Sequence, residues 1–199
     1  MKSKQKGFII IVGLMLLHSS VISGQGRVLT RANAFERGNL RGDNYLKIPE
    51  LIVYEGTWRW MSAAGDSIFT LEFMRYKFVP QAELKPYMFS YDAITGNYSL
   101  IVNGRTASSN FNKRTDPHFP SFKGTDMDDD GLKVLSVGFH DFVKDKFALG
   151  SFELLNENLN KARWSMRNIK RIVITPGEVW HKEFSLPNHI VLHRVSREP

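Results

Sequence analysis

Tyr54-Glu55-Gly56-Thr57-Trp58-Arg59-Trp60, a polar turn, and then Ser67-Ile68-Phe69-Thr70-Leu71-Glu72-Phe73 constrain the fold of this chain more than any other stretch. A period of two sends alternate side chains to opposite faces of a strand. Trp58 and Trp60 therefore leave one face of the first run, and Phe69, Leu71 and Phe73 share one face of the second. Gly56 lets another backbone or a large ring come close. The two runs predict the opening hairpin of an antiparallel barrel, with Trp58 as the candidate plug of its closed end. An ordinary hairpin carrying a buried Trp is the plainer alternative.

Short alternating runs recur down the chain. They cover Leu51 to Met61, Ser67 to Tyr76, Tyr87 to Ala93, Asn97 to Val102, Leu132 to His140, Lys146 to Leu155, Lys161 to Ile174 and His189 to Val195. Ala64-Gly65-Asp66, Thr95-Gly96, Asn103-Gly104, Asp130-Gly131 and Pro176-Gly177 punctuate them, and Asn103-Gly104 is the strongest hairpin signal because type I′ turns need positive φ. This spacing predicts an all-β fold and not alternating βαβ units, with up-and-down connectivity as the simplest topology. Thr106 to Asp130 is long and polar. It reads as a surface excursion, with a flap over a barrel mouth as the alternative.

At the amino terminus Lys2, Lys4 and Lys6 precede the apolar run Phe8 to Leu17, followed by small and polar residues around Val21-Ile22-Ser23-Gly24-Gln25. That order predicts a signal peptide over residues 1–25 and a secreted or periplasmic product. The run is far shorter than the roughly 20 residues a membrane-spanning helix needs, so no transmembrane segment is expected after processing. Loss of residues 1–25 removes three Lys and no acid, lowering the net charge from +7 to +4. The remaining Arg and Lys are scattered and form no stripe, which argues against nucleic acid as a partner. Zero Cys excludes a disulfide framework, a thiolate metal site and a cysteine nucleophile. The core has to be held by burial alone. Residues 26–48 are polar, rich in Arg and Asn, and without either period; they predict an N-terminal arm with Arg27, Arg31, Arg37 and Arg41 on a solvated face. Pro49 marks entry to a single domain over 49–199.

Three blocks carry a family resemblance: Gly56-Thr57-Trp58 in the first strand, Tyr91-Asp92-x-x-x-Gly96-x-Tyr98 in the middle, and Pro187-Asn188-His189-Ile190-Val191-Leu192-His193-Arg194-Val195 at the close. In that order and spacing they resemble an uncharacterised family of exported bacterial proteins with a lipocalin-like barrel. The resemblance implies an antiparallel up-and-down barrel of about eight strands. It also implies closure of one end by Gly56, Trp58 and Arg194, the Arg of the last strand stacking on the indole. Such a cation–π contact is worth roughly 0.5–2 kcal/mol. The chain departs from true lipocalins in lacking a clear Thr-Asp-x-x-Tyr block before its seventh strand.

Candidates for chemistry are few. Asp126, Asp128 and Asp130 stand at the first, third and fifth positions of a calcium-type loop with Gly131 sixth, but its twelfth position, where a bidentate Glu belongs, is Val137. Calcium is a weak candidate, and an acidic turn before a strand is the plainer reading. His189 and His193 lie four apart in a predicted strand, too far to share one metal at roughly 3.3 Å per residue. His118, His140 and His181 are isolated in sequence. The chain has no Gly-x-Ser-x-Gly elbow, phosphate loop, His-Glu-x-x-His pair or dinucleotide fingerprint. It reads as a non-enzyme without a cofactor. Two roles follow: a carrier holding a small apolar or amphipathic ligand among Trp58, Phe69, Leu71, Phe73, Phe89 and Tyr91, or a filled-core interaction module meeting a partner in the cell envelope. An interior void of about 300 Å³ or more would favour the carrier.

Overall fold

A computed structural model describes residues 26–34, 36, 42–84, 88–111, 122–127, 134–155, 157–169 and 182–198. In chain order these form β1 (Val28–Leu29), a single helical turn α1 (Arg31–Ala34), β2 (Tyr45–Leu46), a 3-10 turn (Pro49–Val53), β3 (Gly56–Met61), β4 (Ser67–Phe78), a second 3-10 turn (Ala82–Leu84) and β5 (Ser90–Val102). They continue with β6 (Arg105–Ser109), β7 (Phe122–Met127), β8 (Val134–Asp141), β9 (Lys146–Leu154), β10 (Lys161–Asn168) and β11 (Ile190–Ser196). The fold is all-β, a single curled, barrel-like sheet.

Its ladders join neighbours in sequence. β3 pairs with β4, β4 with β5, β7 with β8, β8 with β9, β9 with β10 and β10 with β11, all antiparallel. Two further ladders bring the ends together: β11 returns to β3 through His193↔Arg59 and Arg194↔Trp58, and β7 meets β5 at Ile94↔Gly124 and Thr95↔Lys123. Strand edges are costly when left bare, and two asparagines fill gaps that backbone pairing leaves. Tyr98 N–H donates to Asn110 Oδ1 (2.6 Å) while Asn110 Nδ2 donates to the Gly96 carbonyl (3.2 Å), where β6 has just left β5. Likewise Met166 N–H donates to Asn188 Oδ1 (2.6 Å) and Asn188 Nδ2 donates back to the Met166 carbonyl (3.1 Å), just before β11 takes up the edge of β10.

The strand boundaries depart from the sequence reading in instructive places. Leu51–Val53 turn in 3-10 geometry behind Pro49, whose fixed φ suits a helical first turn, so the strand starts only at Gly56. Thr95-Gly96 is no turn: β5 runs through it for 13 residues, with Gly96 opposite Phe73. The supposed excursion Thr106 to Asp130 contains most of β6 and all of β7. Residues 26–48, expected as a solvated arm, supply Leu29, Ala34, Leu46 and Ile48 to the same buried cluster as the barrel strands. β1 and β2 achieve this by adding in parallel to the edge of β5 at Tyr45↔Ser90 and Leu46↔Tyr91.

Candidate functional site

The interior is built from the buried positions of each strand: Trp58, Phe69, Leu71, Phe73, Ile94, Tyr98, Leu135, Val137, Phe139, Phe152, Trp164 and Leu192. Phe152 is the central wedge. Its ring meets Trp58 edge-on at 4.8 Å, Phe73 at 4.9 Å and Tyr54 at 6.1 Å, all arrangements that the ring quadrupole favours. Trp164 fills the adjoining space against Phe139 (5.7 Å) and Phe69 (6.4 Å). Its ring comes so close to β9 that a Cβ added at Gly150 would stand 2.4 Å from its Cη2.

Of the residues assigned to a ligand from sequence, Trp58, Phe69, Leu71 and Phe73 stand together in this packed interior. Phe89 and Tyr91 are half-buried and pack against this cluster from its margin. Along β5 the buried positions are Ala93, Ile94, Gly96, Tyr98 and Leu100; Tyr91 shares the parity of Ala93 and meets the tilted rings of Phe78 (4.8 Å) and Phe89 (5.6 Å).

The residues expected to close the barrel meet at one end of the curled sheet. Trp58 Nε1 donates to the Tyr54 carbonyl (3.0 Å), and the Arg194 guanidinium lies 4.2 Å over the indole while donating to the Val53 carbonyl. Gly56 has φ +115°, and a Cβ there would fall 2.2 Å from the Ser196 carbonyl oxygen. Only glycine lets β3 and β11 meet so closely. The opposite end is tied by charge. Asp141 is fully buried; its Oδ1 accepts Ser185 Oγ–H (2.5 Å) and the Val143 and Lys144 N–H groups (3.2 Å each), and its Oδ2 accepts Ser185 N–H (2.8 Å). Lys146 Nζ donates to Asn168 Oδ1 (2.9 Å) and the Glu183 carbonyl (2.7 Å) and lies over the Phe184 ring. Burial pushes the Lys146 ammonium below the usual lysine range, with Asp141 opposing that shift. Together they hold residues 182–186 against the ends of β8 and β9, laying Leu186 into the core.

Sequence reasoning missed Phe152, Trp164, Asp141 and Lys146. Ala162-x-Trp164-x-Met166 carried a period-two signal for Trp164, and Gly150 within a strand hinted at a large ring nearby. A charged pair at inward positions of strand ends had no sequence signal.

Of the calcium candidates, Asp128 and Asp130 lie outside the described residues; the Asp126 backbone pairs with Ser136 in β7 and β8, and Val137 is buried in the core. Among the described residues no group of three His, Asp or Glu is placed to hold a metal. His140 Nε2 meets Asp145 Oδ1 at 3.1 Å and its ring stacks on Phe147, while His189 and His193 are exposed. His118 and His181 fall outside the described residues. Among those residues no helix is long and apolar enough to cross a membrane.

Hollows lie outside the packed interior. One, of about 400 Å³, opens on the outer face of β8 to β10 along Ser136, Ser151 and Ser165, which the ladders set side by side, with Arg167 and His189 at its border. Another, of about 300 Å³, lies at the Trp58 end between Ile52, Val53, Glu55, Leu159, Arg194 and Arg197.

Comparison with curated proteins and with solved structures returns no match. A family of unknown function, DUF6705, matches residues 1–194. With that match running over nearly its whole length, the chain belongs to this family.

Proposed function

We propose that this protein is an exported, non-enzymatic barrel of lipocalin-like build that works through its outer surface as an interaction module of the cell envelope. The observation that carries the reading is the occupied interior: Phe152 wedged among Tyr54, Trp58 and Phe73, with Trp164 hard against Gly150. A carrier needs a void of at least about 300 Å³. Here the side chains that would line it touch one another. Up-and-down pairing, Gly56-Thr57-Trp58 and the Arg194 stack support the lipocalin-like build. The order of charged, apolar and small residues over 1–25 supports export.

The test is to titrate the full mature chain and its Phe152→Ala variant with benzene, following tryptophan emission and melting temperature. Truncating a buried Phe leaves an apolar cavity of the kind that stays dry and admits such a probe. The parent should give no saturable signal and the variant should bind. Equal binding by both would return the protein to the carrier class.

A further inference from the structure

The hollow at the Trp58 end carries positive charge that nothing in the described structure neutralises. Arg194 and Arg197 both line it, and neither meets a carboxylate among the described residues. The Arg194 Nε is buried and makes no hydrogen bond, its guanidinium committing only to the Val53 carbonyl and the Trp58 face. The one carboxylate in the lining, Glu55, is already engaged: Arg75 reaches it through Nε (3.0 Å) and through its backbone N–H (2.9 Å). Burial, and then the charge of Arg197, pull the Arg194 guanidinium below its ordinary range. An anion placed between the two would relieve both effects.

The other walls are apolar: Val53 and Leu159 are half-buried against the core, and Ile52 is left open to solvent. Ile52 is 56% exposed although it sits in the turn that caps the barrel. Leu159 occupies the left-handed region at φ +52°, a conformation that costs a branched residue energy and that recurs where a side chain is held for a purpose. The neighbouring Asn160 carbonyl accepts the Arg194 N–H (2.9 Å), so the turn bearing Leu159 is held to β11, which carries Arg194 and ends just before Arg197. A volume of about 300 Å³ is at the small end of ligand sites.

We propose that this hollow binds a small amphiphile with an oxyanion head, carboxylate or phosphate monoester, held by Arg194 and Arg197 with its short alkyl tail against Ile52 and Leu159. The site is separate from the filled interior and does not depend on the interior being filled. Charge-assisted hydrogen bonds from paired guanidiniums suit either head group.

Octanoate is the probe, titrated into the full mature chain at low salt and followed by tryptophan emission, to which Trp58, directly beneath Arg194, contributes. The expected result is saturable binding that weakens as salt rises and at least about tenfold in Arg197→Ala, a factor equal to about 1.4 kcal/mol. Arg197 is exposed, so this variant should keep the fold. Ile52→Glu, which sets a carboxylate where the tail should lie, should abolish binding. Arg59→Ala, on the outer face of β3, should leave it unchanged. Octyl phosphate binding more tightly than octanoate would support the site and assign its head group to phosphate. The proposal is overturned by the absence of saturable octanoate binding, or by an Arg197→Ala variant that binds like the parent. Binding of 1-octanol or inorganic phosphate as tight as that of octanoate would overturn it as well. Benzene entering the Phe152→Ala cavity reports on a different place, so the failure of one reading is distinguishable from the failure of the other.

Discussion

Replacing Gly56 by Ala tests barrel closure at a single atom. The new Cβ would lie 2.2 Å from the Ser196 carbonyl oxygen and 3.0 Å from the Arg197 Cα, both backbone, in a residue held at φ +115°. No side chain can swing aside to make room. Relief requires β3 and β11 to part where Arg194↔Trp58 and Ser196↔Thr57 are paired. Gly65 provides the control, because it also has positive φ (+73°) but nothing within 4 Å of its added Cβ. Gly65→Ala should therefore carry the conformational cost alone, about 1–2 kcal/mol. Gly56→Ala should carry that cost and a further 1–3 kcal/mol or so for forcing atoms into filled space. In a chain of this length each kcal/mol lowers the melting temperature by about 2–4 °C, so Gly56→Ala should melt roughly 2–12 °C below Gly65→Ala. Thermal and urea unfolding of the two variants, followed by near-ultraviolet circular dichroism, measure the difference. If Gly56→Ala melts with Gly65→Ala or above it, the β3–β11 seam is not closed at this point.

Trp58→Ala should destabilise the fold by about 3–5 kcal/mol, as truncation of large core aromatics does, and Arg194→Ala by less, since it removes one cation–π contact and one hydrogen bond; equilibrium unfolding ranks the two. Burial, and secondarily Tyr91, push the Tyr76 hydroxyl from 10.0 up to about 12. Because its folded pKa lies above its unfolded one, its contribution to stability is intact below pH 10 and is lost as pH rises through 12. Tyr45 shifts in the same direction, so Tyr76→Phe should flatten the alkaline fall in melting temperature without abolishing it. At neutral pH that variant should be no less stable than the parent, since the Tyr76 hydroxyl is buried without a hydrogen bond. Intact-mass measurement of exported material should find a mature terminus near Ser23 to Gln25, and Met1 retained on a cytoplasmic product would contradict export.

Much of the fold was legible because period-two alternation is a local signal. β4, β8, β9 and β11 lie close to their alternating runs, and Trp58, Phe69, Leu71 and Phe73 share an interior as their spacing requires. The errors came where a local signal has two meanings. Thr95-Gly96 looks like a turn, but a strand can also carry Gly where a bulky residue such as Phe73 comes opposite. β7 was hidden because its Phe122-Lys123-Gly124-Thr125-Asp126 run is polar and Gly-bearing, and only the edges of β5 and β8 make it a strand. The polar arm concealed Leu29 and Leu46, too few apolar residues to show a period but enough to reach the core through a backbone ladder. What occupies the interior was not legible at all. Whether eight strands enclose a cavity depends on where Phe152 and Trp164 point in three dimensions, and so does the meeting of Arg194, Arg197 and Ile52 at one end.

A crystal of the parent protein pressurised with xenon tests the filled interior most directly, because xenon enters dry apolar cavities and leaves filled ones empty. No xenon site should appear among Trp58, Phe73, Phe152 and Trp164. An ordered xenon atom inside that aromatic cluster would contradict the account and make the barrel a container.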